Sequence, residues 1–207
     1  MREKEDLRIC KTKTKLAAAL LLLMKTTPIG KLKISQLCDE AHISRATFYN
    51  NFDDVQDVLD DYLVRLGKNV VGAVKQKMTG HNDFASAYGF FLTEIHRTIL
   101  DESTKLSDVI HCLRDEKVFA SVHKFVYDCL ASLADSFIET DRRVPIDIEK
   151  DYLAGAFCGL LPYIEENAQL VAEKQLTQVV YQISYLDFRK TYAEKAPVVL
   201  PPIGDKQ

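Results

Sequence analysis

The 207-residue chain has no tryptophan, only eight glycines and six prolines, and no cysteine pair in CxxC spacing. Each shortage excludes something. So few turn-formers, with sparse alternation of β-branched residues, argue against a sandwich or barrel and point to long helices. The five cysteines (Cys10, Cys38, Cys112, Cys129 and Cys158) are an odd number scattered through apolar helical patterns. That fits reduced thiols in a cytoplasmic protein rather than a disulfide framework or zinc site. No basic residue stands clearly placed to lower a thiol pKa, which weighs against redox sensing. The signatures HExxH, GxSxG, the P-loop and GxGxxG are all absent. Glu94-Ile-His96 and His111-Cys112 are near neighbours, and side chains so close along a helix do not face each other. The sequence therefore reads as no enzyme, with no cofactor and no metal ligands.

What is present suits an ordinary folded protein. Hydrophobic residues make up 47% of the chain, charged residues 28% and aromatic residues 9%. That suffices to bury a core in one large domain or two small ones. The net charge of −3 is unevenly spread. Met1–Phe52 carries ten Lys and Arg against five Asp and Glu, or +5, and the remainder carries 17 against 25, or −8. A basic head on an acidic body suits a head that meets a polyanion. The apolar run Leu16–Met24 follows Lys11, Lys13 and Lys15. It is too short to span a bilayer, and no small-residue cleavage site follows it, so it reads as a buried first helix.

The predicted fold is all-α, with about nine helices. A first helix runs from about Leu7 to Thr26, a second from about Ser35 to Ala41, a third from about Arg45 to Asn50, and a fourth from Asp54 to about Met78. Segments 83–100, 104–113, 115–139, 147–167 and 171–192 continue the helical pattern, with 142–145 as a linker. Residues 8–54 form the first predicted domain, 55–192 a helical second one, and 193–207 a proline-rich tail. Within 33–52, Ile34, Leu37 and Cys38 face inward, Ala41 permits a close crossing, Ile43 plugs the turn and Ser44 caps the third helix. Phe48 and Phe52, four apart, return to the core. Arg45, Ala46, Thr47, Tyr49 and Asn50 remain on the surface. Together they offer guanidinium, hydroxyl and amide groups with one small side chain, the set a major-groove helix needs.

These residues carry a family resemblance. The segment from about Leu16 to Leu66 resembles the DNA-binding domain of the TetR/AcrR family of bacterial transcription regulators. The matching positions are Pro28-Ile29, Ile34, Leu37-Cys38, Glu40-Ala41, Ile43-Ser44 and above all Thr47-Phe48-Tyr49 with Phe52. The wording is most similar to a subgroup that includes regulators of dihydroxyacetone kinase operons. The resemblance implies that Thr47 and Tyr49 sit against phosphates, that Arg45, Ala46 and Asn50 lie nearer base edges, and that Ser35 reaches a phosphate. Three positions depart from the family. Lys33 replaces its Thr, which moves the helix cap to Ser35 and makes Lys33 a phosphate contact. His42 replaces the turn Gly, where the backbone tends to be left-handed. Val55 replaces a phosphate-binding Lys, so the salt dependence of binding is shallower by about one unit of slope per lost contact.

The resemblance places the effector pocket and dimer interface in the acidic body. Aromatic and lone polar residues on apolar helices nominate Phe91, His96, His111, Phe119, His123 and Tyr127 for the pocket. Tyr152, Gly155, Ala156, Gly159 and Tyr163, with Leu176, Val179, Val180 and Ile183 on the last helix, nominate a four-helix interface across a two-fold axis. A dimer also follows from the head, because one helix-turn-helix contacts few base pairs. The expected function is a homodimer that binds a palindromic operator and regulates transcription, as a repressor by default, under a small-molecule or protein effector. An activator and a non-transcriptional nucleoid or division factor on the same fold stay open. So does a protein-interaction module, although Tyr49 lies off the core face of Phe48 and Phe52.

Overall fold

The computed structural model describes residues 2–79, 84–136 and 146–167. Among them run eight α-helices, one 3₁₀ turn at Ile29–Lys31 and no strand. The helices are α1 (Arg2–Met24), α2 (Ile34–Ala41), α3 (Arg45–Tyr49), α4 (Val55–Lys77), α5 (Phe84–Leu100), α6 (Leu106–His111), α7 (Glu116–Ala134) and α8 (Ile146–Asn167). The predicted helix at 171–192, the linker at 142–145 and the tail lie outside the described residues.

The axis of the molecule is α4, which packs on α1, α5 and α7, while α7 in turn packs on α8. Its start is fixed by a reciprocal cap. The Asp57 amide donates to Asp54 at 3.0 Å, and Asp57 accepts from the amides of Asp53 and Asp54 at 3.0 and 3.1 Å. On α1, Leu16, Ala19, Leu20 and Met24 are buried as their spacing requires, and they meet Val58, Leu59, Leu63 and Leu66 in one apolar cluster. That cluster runs without a break from Leu16 to Ile164. The region around the predicted helix-turn-helix and the body thus share a core through α4.

Charge pins the α1–α4 contact at its edge. Lys13 Nζ lies 2.6 Å from Asp61, which also accepts from Arg65 at 2.9 Å, and Lys13 sits 5.1 Å over the Phe52 ring. At the far side Gly67 allows α7 to approach. A Cβ there would stand 3.1 Å from Cys129 Sγ and 3.3 Å from the Phe125 ring. The α5–α6 turn is held by Tyr62, whose hydroxyl donates to the Thr104 carbonyl, and by Thr104 Oγ1, which donates to Thr98 O at 2.7 Å. Glu94, buried on α5, is paired with Lys77 and lies 3.4 Å from Arg97. No helix of the described residues is long and apolar enough to cross a membrane.

Candidate nucleic-acid interface

The second and third helices are joined by a turn closed by two backbone hydrogen bonds. The Ile43 amide donates to Cys38 O at 2.9 Å and the His42 amide to Asp39 O at 3.2 Å, the two bonds of a Schellman motif. This geometry puts His42 in the left-handed region at φ 53° and ψ 48°, the conformation expected where the resemblance has glycine. Leu37, Cys38 and Ala41 are buried, and Ile34 and Ile43 pack against the core from its edge.

The cap of α2 corrects the sequence reading. The capping position is Lys33 and not Ser35, and Ser35 lies half-buried inside the first turn. A Lys side chain has no acceptor, so the helix start is closed from the other direction. Gln36 Oε1 accepts from the Lys33 amide at 2.9 Å, which leaves the Lys33 side chain exposed. Gln36 is the residue that sequence reasoning missed; its signal was the position three residues after the cap.

Ser44 does cap α3. Its hydroxyl accepts from the Thr47 amide at 3.1 Å and lies 2.8 Å from Thr47 Oγ1. Phe48 is fully buried and Phe52 nearly so, whereas Tyr49 is 58% exposed, its ring edge-on to Phe48 at 5.5 Å. Arg45, Ala46 and Asn50 are exposed beside it. Asn51 and Asn50 have separated roles, since Asn51 Nδ2 donates back to Thr47 O at 2.8 Å and ties down the end of α3. The helix therefore turns Phe48 inward and presents a cation, a methyl, an amide and a phenol on one outward surface. The following turn is acidic: Asp53 and Asp54 are exposed, and Val55, where the resemblance has Lys, is buried.

The other expected sites are arranged differently. Phe91 is buried, 5.6 Å from the ring of Phe157 on α8, and His96 is buried on α5. His111 is exposed at the end of α6, its Nδ1 2.9 Å from Ser107 O and its Nε2 3.5 Å from Glu165. Phe119 is exposed on α7 and stacks at 6.2 Å on the half-buried His123, whose Nε2 reaches toward Gly155 of α8, and Tyr127 lies under Lys150 at 5.3 Å. The structure does not bring these six into one cavity. The stripe on α8 faces outward, with Tyr152 and Tyr163 half-exposed, Gly155 and Gly159 exposed, and Ala156 half-buried. A Cβ at Gly159 would meet nothing within 4 Å. Leu176, Val179, Val180 and Ile183 lie outside the described residues. Cys38, Cys129 and Cys158 are buried, and burial pushes the Cys129 and Cys158 thiols up to about 12. Among the described residues no group of three or more His, Cys, Asp or Glu side chains is placed to hold a metal ion.

No protein-family model and no curated protein matches the sequence. Solved structures match the fold. A TetR transcriptional regulator from Streptococcus agalactiae superimposes with a TM-score of 0.58 at 16% identity, covering 89% of this chain and 99% of its own. A TetR-family regulator from Syntrophomonas wolfei gives 0.57 at 15% identity over 91% and 98%, and one from a Shewanella species gives 0.55 at 13% over 82% and 95%. At such identities the likeness is one of architecture. The chain has the fold of TetR-family regulators, an N-terminal helix-turn-helix followed by a helical body.

Proposed function

We propose that this chain is a DNA-binding transcriptional regulator that works as a homodimer on a palindromic operator, with residues 8–54 as the reading head and 55–192 as the effector and dimerisation domain. The observation that carries this reading is the outward face of α3. Arg45, Ala46, Tyr49 and Asn50 stand exposed on a helix whose opposite side is locked by Phe48 and whose start is capped by Ser44. Base edges and phosphates are the natural partners for this set, with Lys33, Ser35 and Thr47 beside it on the phosphate side.

Two-fold pairing fits the exposed stripe Tyr152, Gly155, Gly159 and Tyr163 on α8, together with the 171–192 segment. It would set the two reading helices about 34–36 Å apart. Repression is the direction we favour, in a cytoplasmic setting, and the sequence resemblance to regulators of dihydroxyacetone kinase operons suggests where targets would be sought. An effector in the body would act by shifting the population between two dimer geometries. The test is selection from a random duplex library with the full chain. Enrichment of an inverted repeat with half-site centres about one helical turn apart supports the reading. Enrichment of no motif, or binding only to non-duplex nucleic acid, overturns it.

A further inference from the structure

We propose that the groove between α4 and α7 is a binding site for an extended aliphatic monoanion of the medium-chain carboxylate class. The groove has a volume of about 390 Å³. Along α4 it extends from Asp60 to Lys75, roughly 22 Å at the rise of an α-helix. The volume follows an elongated row of lining residues along both helices, a course that an extended chain can track. It lies within the range of small-molecule sites, and a partner helix with its side chains would need far more room.

The floor is apolar. It is made by Leu63, Gly67 and Val71 on α4 and by Phe125 and Cys129 on α7, all buried. Its room comes from glycine. Gly67 brings the two helices together at the base, and Gly72 leaves the wall open, since a Cβ there would meet nothing within 4 Å. Glycine inside a helix is costly, and at position 72 no packing contact accounts for it. The open space it leaves lines the slot.

The charge at the rim selects the sign of the ligand. Two carboxylates face the groove and both are engaged: Asp60 accepts from the Ser121 hydroxyl, and Asp128 is paired with Lys124 at 2.5 Å. Lys68 and Lys75 also line it, seven residues apart on the same face of α4, and neither forms an ion pair among the described residues. Lys75 sits in the last turn, where the helix dipole disfavours an anion. Lys68 is more than two turns from the end, beyond the reach of that effect. An anionic head therefore fits at Lys68, within reach of Lys75, with the alkyl chain lying over Gly67 and Leu63 toward the Asp60 end.

The site rests on the regulatory reading only for its consequence, because the binding itself is measured with DNA absent. Isothermal titration of the full chain with sodium decanoate is expected to give saturable one-to-one binding, with decyltrimethylammonium at least tenfold weaker. Gly72→Leu, whose Cβ meets nothing within 4 Å and whose side chain would stand between Lys68 and Lys75 where the head sits, is expected to abolish decanoate binding while raising the melting temperature. Lys68→Glu/Lys75→Glu, two exposed substitutions, is expected to weaken decanoate roughly tenfold and to improve the cation. Absence of saturable decanoate binding overturns the proposal. So does wild-type affinity in Gly72→Leu, or in the lysine reversal. A failed titration leaves the operator reading untouched, and a failed operator selection leaves the groove untouched.

Discussion

The two halves of α4 meet their neighbours in different ways. Near its start, α1 closes on it through interlocked aliphatic residues and the Lys13–Asp61–Arg65 cluster, and the turn beyond is held by caps at Ser44, Asp54 and Asp57. Toward its end, α7 meets it across Gly67 and Gly72 and a slot remains. The first half is a platform, rigid because its chemistry points outward from α3. The second half keeps unfilled space on its own surface. One apolar cluster joins them, so what fills one end bears on the other through a shared helix.

Substitutions can break that contrast, and the largest effect is expected at Phe48. It is fully buried, so Phe48→Ala should cost about 3–5 kcal/mol and take the head's fold with it, as measured by urea denaturation. Its neighbour Tyr49 is 58% exposed, and Tyr49→Ala should change stability by less than about 0.5 kcal/mol.

High pH should loosen the body. Burial holds the Cys129 and Cys158 thiols protonated up to about 12, against an ordinary value of 9.0. Raised values mean that the stability is fully present below pH 9 and is lost as pH rises from 9 to 12, because only the unfolded chain ionises there. The slope is about 1.4 kcal/mol per pH unit for each thiol. Cys129→Ala/Cys158→Ala should flatten this limb in denaturation midpoints measured from pH 8 to 11. Tyr62, also raised by burial, extends the loss at the alkaline end.

The glycines of α4 should separate in sign. Gly67→Leu must displace Cys129 and Phe125 and should cost about 1–3 kcal/mol, whereas Gly72→Ala meets nothing and should gain about 0.5–1 kcal/mol. A comparably small gain is expected for His42→Gly. It relieves a left-handed residue at φ 53° and should stabilise the head by up to about 1 kcal/mol in thermal melts, with DNA affinity unchanged.

Much of the head was legible in the sequence because its signals are local. Leu37, Cys38, Ala41, Phe48 and Phe52 recur at helical spacing, and Ser44 is a good cap, so the inward set and the outward Tyr49 follow from period alone. The left-handed turn at His42 came instead from the family resemblance, which has glycine there. The cap at Lys33 was not, because the closing group is Gln36 and the capping residue itself contributes only its amide. In the body, periodicity gave the faces but not their neighbours. Phe91 and His96 are aromatic residues on apolar helices, as are Phe119 and His123, yet one pair is buried on α5, while on α7 Phe119 is exposed and His123 is half-buried against α8. The slot is built from Gly67 and Gly72 against residues some sixty positions away, and no local pattern reports that pairing.

The central claim is that the outward face of α3 reads duplex DNA. Its most direct test is a mobility shift with the selected operator, comparing the wild type with Arg45→Ala and Tyr49→Ala at matched salt. Both variants should keep the wild-type melting temperature and lose operator affinity, by about tenfold or more, with a lost phosphate contact also lowering the salt slope by about one unit. Normal binding by both variants, or no binding of any duplex by the wild type at moderate salt, would contradict the account.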